Sequence, residues 1–142
     1  MKIKEIKYKS EDYEKLLFFR FQNLRKPLNL KWSKEDLQSE DKQNHFAVMH
    51  DLEIIGSFCL KKIDIQTIKL RQMAIKKEYQ KKGYGSKVIR FTESFARHNN
   101  YKIIILTARL SALEFYEKNS FNTSGKIFND VTVDSIKMFK FL

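Results

Sequence analysis

The sequence has 142 residues, 42% hydrophobic and 13% aromatic, with a single proline and four glycines. This composition excludes an intrinsically disordered chain and predicts a single domain over residues 1–142. No apolar run approaches the ~20 residues of a membrane-spanning helix, and Met1–Ile6 alternates charged with apolar residues, so we expect neither a span nor a signal peptide. Cys59 is the only cysteine, so the sequence predicts no disulfide and no metal site, and it favours the cytoplasm.

The net charge of +11 and the pI near 9.7 indicate a preference for anionic partners, such as a phosphorylated cofactor, an acidic protein or a nucleic acid. The basic residues are scattered, and no block of five or more consecutive lysines and arginines occurs. Nucleic acid is therefore not the expected partner. A lysine-rich, solvated surface without a partner explains the charge equally well.

The first half of the chain reads as strands around two helices. Ser10 precedes Glu11, Asp12 and Glu14, which predicts a helix N-cap, and Pro27 is expected to end that helix. Ser33–Asp36 has the spacing of a capping box and predicts a second, short helix. The alternating segments predict strands over 2–8, 45–50, 54–63 and 68–75.

The second half predicts two more helices and three more strands. A helix opens at Gly83 and closes at Asn99–Asn100, and Ser111 is predicted to cap a helix over 112–118. The continuous apolar run Ile103–Leu106 predicts a strand buried on both faces. Two final strands are predicted over 123–128 and 133–141. The order of elements predicts an α/β (α+β) fold, with a mixed, mostly antiparallel central sheet flanked by helices.

The most informative segment, residues 80–86, reads Gln-Lys-Lys-Gly-Tyr-Gly-Ser and lies directly between a predicted strand and a predicted helix. Glycine permits a close approach of the backbone to a ligand, and positive φ angles turn successive N–H groups towards one hollow. The start of a helix adds unsatisfied N–H groups and a partial positive charge. The segment therefore favours an anion site for a pyrophosphate; the alternative is a plain strand-to-helix turn.

Three segments, at 70–75, 80–86 and 112–121, resemble the GNAT superfamily of N-acetyltransferases. Two others, Leu24–Leu30 and Thr107–Arg109, resemble an uncharacterised, bacterial-type subset of it. Gln80, Gly83 and Gly85 match the Arg/Gln-x-x-Gly-x-Gly/Ala signature with which this family binds acetyl-CoA. Leu70–Ile75 is similar to the family's central strand. Ala112–Phe121 resembles its Ala-x-x-Phe-Tyr-x-Lys-x-Gly-Phe helix. The resemblance implies a GNAT fold and acetyl-CoA as co-substrate, without a metal.

The resemblance also implies a site. The main chain of Met73, Ala74 and Ile75 would hold the pantetheine arm, and an N–H of this strand would polarise the acetyl carbonyl. Tyr116 matches the tyrosine that protonates the departing thiolate, although it also reads as a packing residue beside Phe115. The cofactor-binding residues implied in this way are Met73, Ala74, Ile75, Gln80, Lys81, Lys82, Gly83, Tyr84, Gly85, Ser86 and Arg109.

The sequence departs from the family pattern at several positions. Arg109 stands where many members have Asn, and it is expected either to reach a phosphate of the cofactor or to point to solvent. Ser120 replaces a glycine, with Asn119 expected to take the left-handed conformation. Asp134–Ser135 replaces a Pro-His pair of the subset. These departures motivate a second hypothesis, a catalytically silent GNAT-fold module that binds CoA, RNA or protein.

Direct attack by a primary amine is the reaction that the resemblance implies, and a small-molecule amine or polyamine is expected more than a protein as acceptor. The net positive charge favours an acidic or phosphate-bearing acceptor over a cationic polyamine. A homodimer is left open. The strand 70–75 contains no carboxylate, so the general base is open; the candidates by residue type alone are Glu53, Glu78, Glu114, His45 and His50, with water as the alternative. Aromatic residues of the first two helices are candidates for lining the acceptor cleft and equally for core packing, namely Phe18, Phe19, Phe21 and Trp32.

Overall fold

The computed structural model describes residues 1–31, 37, 39–130 and 132–142. The helix predicted at Ser33–Asp36, and Trp32, lie outside the described residues. Two compact units make up the chain, and each consists of two segments. Unit 1 comprises Met1–Lys61 and Gln72–Gly85, and unit 2 comprises Lys62–Arg71 and Ser86–Leu142. The expectation of a single domain stays a prediction.

Seven strands and three α-helices are present in the described part of the chain. The strands are β1 (Lys2–Ile6), β2 (Asn44–His50), β3 (Glu53–Lys62), β4 (Thr67–Ile75), β5 (Ile103–Arg109), β6 (Asn122–Asp130) and β7 (Val133–Phe141). The helices are α1 (Glu11–Arg20), α2 (Tyr84–His98) and α3 (Leu113–Lys118). The strand order in the sheet is β1-β2-β3-β4-β5-β7-β6, with β4 and β5 parallel and the registers of β1–β2, β2–β3, β5–β7 and β6–β7 antiparallel. The mixed, mostly antiparallel sheet predicted from the sequence is confirmed.

In unit 1, α1 packs its apolar side against the first two strands. Tyr13 and Leu16 form a buried cluster with Ile6 and Ala47. The helix begins where the sequence predicts, because the Ser10 hydroxyl accepts a hydrogen bond from the Tyr13 N–H at 3.1 Å. Burial of these side chains fixes which face of α1 looks inward.

The end of α1 differs from the prediction. The helix does not run on to Pro27; it passes into a π-helical turn over Phe21–Arg25 and then a 3-10 turn over Lys26–Leu28. Pro27 lies inside that 3-10 turn, where its missing N–H costs little. Asn29 follows with a left-handed backbone, φ 56°, and closes the segment.

In unit 2, β5 lies between β4 and β7. The parallel ladder joins Thr67–Lys69 of β4 to Ile103–Ile105, and the antiparallel ladder joins all of β5 to β7. The prediction that this strand is buried on both faces is wrong. Its burial alternates, with Ile104, Leu106 and Ala108 buried and the residues between them half-buried, because only one face looks into the core.

Helix α3 also begins differently from the prediction. A 3-10 turn over Leu110–Ala112 precedes it, and Ala112 takes the N-cap position without a side-chain hydrogen bond. Ser111 is therefore not the cap that its residue type suggested. None of the helices in the described part of the chain has both the length and the apolar character that crossing a bilayer demands.

Candidate active site

The second half of β4 lies close against β3. A Cβ atom at Gly56 would lie 3.0 Å from the Ala74 carbonyl oxygen and 2.7 Å from the Ile75 side chain. Only glycine permits this approach of the two backbones. Gln72 adopts φ 53° within the strand, so the pleat is interrupted just before the three residues assigned to pantetheine. Met73, Ala74 and Ile75 are all half-buried.

The glycine-containing segment has the conformation of an anion-binding loop. Lys81 and Gly83 have left-handed φ angles of 61° and 88°, and α2 begins at the next residue, Tyr84. A Cβ atom on Gly83 would meet nothing within 4 Å, so the side of the loop facing away from the protein is open. Gly85 is already helical and lacks the positive φ that the sequence suggested for both glycines. Alternating left-handed residues next to a helix start converge N–H groups on one point.

Gln80 supports this loop from within unit 1. Its side-chain amide donates a hydrogen bond to the Ile75 carbonyl at 2.8 Å, and this contact ties the loop to the end of β4. The amide therefore holds the loop in place. Lys82 lies 5.7 Å from the centre of the Tyr79 ring, and Tyr84 meets the same ring edge-on at 5.8 Å.

Tyr79 was not singled out from the sequence, and its neighbours Glu53 and His50 were named only as candidate bases by residue type. The Tyr79 hydroxyl donates to Glu53 at 3.4 Å, and the Lys76 ammonium lies 3.2 Å from the same carboxylate. Tyr79, Glu53 and His50 contribute to a shallow hollow of about 680 Å³ beside the turn between β2 and β3. No spacing signal could have found this group, because it joins residues 23 to 29 positions apart.

Tyr116 and Arg109 lie near one another in unit 2. Burial raises the pKa of Tyr116 to about 12, and the nearby Arg109 charge opposes that rise. The Tyr116 ring packs edge-on against Phe115 at 5.1 Å and Phe121 at 5.8 Å. The phenol is therefore neutral over the whole physiological range and carries a proton that it can donate.

A half-buried lysine fixes the segment that follows α3. The Lys140 ammonium lies 2.9 Å from the Glu93 carboxylate of α2 and donates to the Asn119 carbonyl at 3.1 Å. Ser120 is left-handed with φ 70°, whereas Asn119 has φ −92°. The expectation for Asn119 is therefore wrong, since Ser120 itself adopts the conformation that glycine has in the family pattern. Phe121, buried behind the turn, supports the Tyr116 ring.

A buried polar network connects α1 to β2. Arg20 lies 2.7 Å from the Glu40 carboxylate and donates a second hydrogen bond to His45 Nδ1 at 2.8 Å, and Tyr13 donates to Glu40 at 2.9 Å. Because Arg20 can only donate, His45 Nδ1 accepts, and its Nε2–H donates to the Glu40 backbone carbonyl at 2.6 Å. His45 is thus a neutral imidazole, and burial lowers its pKa.

This network bears on two statements of the sequence analysis: that His45 is a candidate general base, and that the chain has no metal site. Both His45 nitrogens are engaged and the side chain is buried, so His45 is not an accessible general base. Glu40, His45 and Cys59 offer ligand atoms within 4.8 Å of one another, a set with metal-binding residue types. The Arg20 guanidinium already supplies the positive charge beside two of them, so the donor set fits an internal ion pair better than a cation site.

The other candidate bases remain predictions by residue type. Glu53 is engaged with Lys76 and Tyr79, and Glu78 lies 3.4 Å from Lys76. Glu114 pairs with Lys118 at 3.1 Å on an exposed face of α3. His50 lies 3.7 Å from Asp51 at the turn between β2 and β3. Each of these four is accounted for by a surface contact.

Within unit 1 the structure brings the glycine loop to the end of β4, and within unit 2 it brings Arg109 to Tyr116. Ser86 is the first unit 2 residue after the loop and belongs to the first turn of α2. Phe18 and Phe19 lie on α1, and Phe21 lies in the π-helical turn.

Comparison with known proteins agrees with this arrangement. Residues 8–121 match the model of the Acetyltransferase (GNAT) family. A GNAT family acetyltransferase from Elizabethkingia anophelis, solved with acetyl-CoA bound, is 18% identical, with 99% of this chain and 97% of that chain covered and a TM-score of 0.76. An acetyltransferase of the GNAT family from Staphylococcus aureus MU50 is 20% identical over 99% of each chain, with a TM-score of 0.80. An aminoglycoside 6'-N-acetyltransferase complexed with coenzyme A is 17% identical over 99% of this chain and 97% of that one, with a TM-score of 0.78. At these identities the structures show the fold, and the family match over residues 8–121 shows that the chain belongs to the GNAT acetyltransferase family.

Proposed function

We propose that this protein transfers an acetyl group from acetyl-CoA to a primary amine, by direct attack of the amine and without a covalent enzyme intermediate. The observation that carries the proposal is the loop at Lys81–Gly83, left-handed at both ends and followed at once by α2. Two structural relatives were solved with acetyl-CoA or coenzyme A bound, which supports the same cofactor here.

The residues of the loop fit a pyrophosphate. The loop leads directly into the first turn of α2, and backbone N–H groups at the start of a helix lie beyond the reach of its own carbonyl acceptors. Lys81 and Lys82 are exposed and add full positive charges. The open space at Gly83 leaves room for a ligand at the backbone itself. Gln80 keeps this loop attached to β4 through its bond to Ile75.

The main chain of β4 holds the arm of the cofactor in this proposal. The parallel ladder of β4 covers Thr67–Lys69, whereas the three proposed contact residues, Met73 to Ile75, lie farther along the strand. An extended amide-containing arm can pair with a strand as another strand would. Acetyl-CoA supplies the thioester carbonyl, and an N–H of this strand, with Ala74 as our assignment, polarises it.

Tyr116 serves as the proton donor to the departing sulfur. Its raised pKa keeps the Oη proton in place across the physiological range, and the same shift makes the phenol a weaker acid than a free tyrosine. A thiol has a reference pKa of about 8.5, so a thiolate leaving in a desolvated site gains from a neutral hydroxyl donor beside it. Arg109 contributes positive charge near the same place and favours developing negative charge.

The acceptor in this proposal is a small-molecule amine. It attacks in its neutral form and loses its proton afterwards. We assign the second proton transfer to water, because His45 is buried in the network with Arg20, and Glu53, Glu78 and Glu114 are held in surface ion pairs. The cytoplasm is the setting that this proposal assumes, and it requires neither a monomer nor a homodimer.

Calorimetric titration with acetyl-CoA tests the proposal, and the chain offers a matched pair of variants. Gly83 and Gly125 both have positive φ, 88° and 79°, and a Cβ atom at either would meet nothing within 4 Å. Valine at either position therefore imposes similar backbone strain. We expect Gly83→Val to weaken acetyl-CoA binding by about tenfold or more, because the new side chain blocks the approach to the loop, with Gly125→Val unchanged.

Two results would contradict the proposal. If the two valine variants bind acetyl-CoA equally well, the loop is only a turn. If the wild type binds acetyl-CoA but releases no thiol with any primary amine in a broad set, the protein is a binding module of the GNAT fold.

A further inference from the structure

A groove in unit 1 remains unused by the acetyl-transfer machinery described above. It has a volume of about 420 Å³ and is lined by Lys15, Phe18, Phe19, Gln22, Asn23, Ile54, Lys76, Lys77 and Glu78. Two elements thus face each other across it, the second half of α1 with its π-helical turn, and the segment that continues β4.

Part of the lining of the groove is apolar. Phe18 leaves 65% of its surface exposed, an uncommon state for a phenylalanine on a helix, while its neighbour Phe19 is 9% exposed. Ile54 at the start of β3 adds an aliphatic surface. The sequence left open whether Phe18 packs in the core or lines a cleft. Its exposure excludes core packing, so its ring is available to a ligand.

The helix geometry at the groove is irregular. Gln22 and Asn23 belong to the π-helical turn Phe21–Arg25, and the Asn23 amide donates to the Phe19 carbonyl at 2.9 Å. A π-helical turn is rare and less stable than α-helix, and such turns are frequent at functional sites. The turn places two amide side chains, Gln22 and Asn23, in the lining of a groove that is partly aromatic.

The charged residues of the lining, which we call the rim, are mostly cationic. The rim carries three lysines, Lys15, Lys76 and Lys77, against one glutamate, Glu78. Lys76 is neutralised by Glu53 and Glu78, and Lys15 lies 3.9 Å from Asp12. Lys77 has no ion-pair partner among the described residues. A ligand that places an anionic group at the rim gains the charge of Lys77 and part of that of Lys15.

We propose that this groove binds the non-reacting end of the amine acceptor, and that this end is an apolar body bearing a carboxylate. This inference rests on the proposed acetyl transfer and names the class of its substrate. An aromatic or aliphatic body packs on Phe18, Phe19 and Ile54, and the carboxylate faces Lys77. A polyamine is excluded as the preferred acceptor, because its second cation would meet the lysines of the rim.

Two acceptors that differ by one charge test the proposal. Both 4-(aminomethyl)benzoate and 4-(aminomethyl)benzamide carry a primary amine and a ring, and only the first carries a carboxylate. We expect kcat/KM for the benzoate to exceed that for the benzamide by about fivefold, the effect of one exposed charge contact. Lys77→Gln removes this preference, whereas Lys126→Gln, which changes an exposed lysine of β6, leaves it unchanged. Phe18→Ser lowers kcat/KM for both acceptors alike, by about threefold to tenfold.

A binding measurement separates this proposal from the acetyl transfer itself. Calorimetry with 4-methylbenzoate and 4-methylbenzamide, which have no amine to acetylate, reports on the groove alone. If the benzoate binds more tightly than the benzamide, and Lys77→Gln abolishes the difference, the groove is a carboxylate site. If in addition no amine is acetylated, the acetyl-transfer proposal and the assignment of the groove to the acceptor are both wrong, although the carboxylate site stands. Equal binding of the two probes overturns the groove as a carboxylate site.

The anion could instead be a phosphate of the cofactor. In that case Lys77→Gln would weaken binding of coenzyme A while leaving binding of 3'-dephospho-coenzyme A unchanged. That result would overturn the acceptor assignment. We expect Lys77→Gln to change neither affinity, since the groove serves the acceptor.

Discussion

Replacing Arg20 by methionine tests the buried network at its most costly point. The Arg20 and Glu40 side chains are 1% and 2% exposed, and their closest atoms are 2.7 Å apart. Methionine fills much of the same volume but leaves the Glu40 carboxylate with Tyr13 as its one remaining side-chain hydrogen-bond donor among the described residues. Removing one partner of a buried ion pair costs about 3–5 kcal/mol, out of a total stability of about 5–15 kcal/mol for a domain.

Urea denaturation of Arg20→Met, Glu40→Gln and the double variant measures this cost. We expect the double variant to be more stable than Arg20→Met, since the unpaired charge is gone, so that the two losses do not add. Glu40 Oε2 and Arg20 Nε have no hydrogen-bond partner among the described residues, and the ion pair therefore depends on its remaining contacts. A loss of less than about 1 kcal/mol in Arg20→Met would refute the argument, because it would mean that the carboxylate is solvated or protonated.

Three further predictions concern single residues. Because burial lowers the pKa of His45, its neutral form stabilises the fold above about pH 6.5, and that contribution is lost as the pH falls. Urea titrations between pH 7 and 5 should therefore show that the free energy of unfolding of the wild type falls more steeply than that of His45→Gln, by up to about 1.4 kcal/mol per pH unit. Ser120→Gly should raise the free energy of unfolding by about 1 kcal/mol, since φ 70° strains serine; a decrease would show that a serine contact compensates. Tyr116→Phe should lower kcat by about 10²-fold or more and leave the affinity for acetyl-CoA unchanged. Because the pKa of Tyr116 is about 12, ionisation of this phenol should not lower the wild-type rate below about pH 11. An inflection near pH 10 that Tyr116→Phe abolishes would contradict the burial of that hydroxyl.

Local signals predicted much of the fold because they act over few residues. Ser10 caps α1 through the Tyr13 N–H, and the strand predicted over 133–141 has the observed bounds of β7, Val133–Phe141. The glycine loop was recognisable because its conformation depends on Lys81 and Gly83 themselves and on the helix that follows. The roles given to the residues of the site come from the family resemblance and remain predictions.

Long-range contacts escaped prediction. Nothing near Arg20 in the sequence indicates that Glu40, twenty residues later, neutralises it, or that His45 accepts its second hydrogen bond. The π-helical turn depends on tertiary packing and has no composition signal. Ser111 is not the cap because the chain enters α3 through a 3-10 turn at Leu110–Ala112. A 3-10 turn and a capped α-helical start are local geometries of similar energy, so the residue type of Ser111 alone does not decide between them.

The placement of β7 between β5 and β6 has a consequence for synthesis on the ribosome. Among the described residues, β6 pairs only with β7, and β5 pairs with β7 along its whole length. Both strands therefore depend on a strand that is translated after them. Until residues 133–141 leave the exit tunnel, the nascent chain carries two strands with unpaired edges, and such edges are prone to association. A stop codon after Asp130 would therefore remove nine strand residues and leave an aggregation-prone intermediate in place of a shortened enzyme.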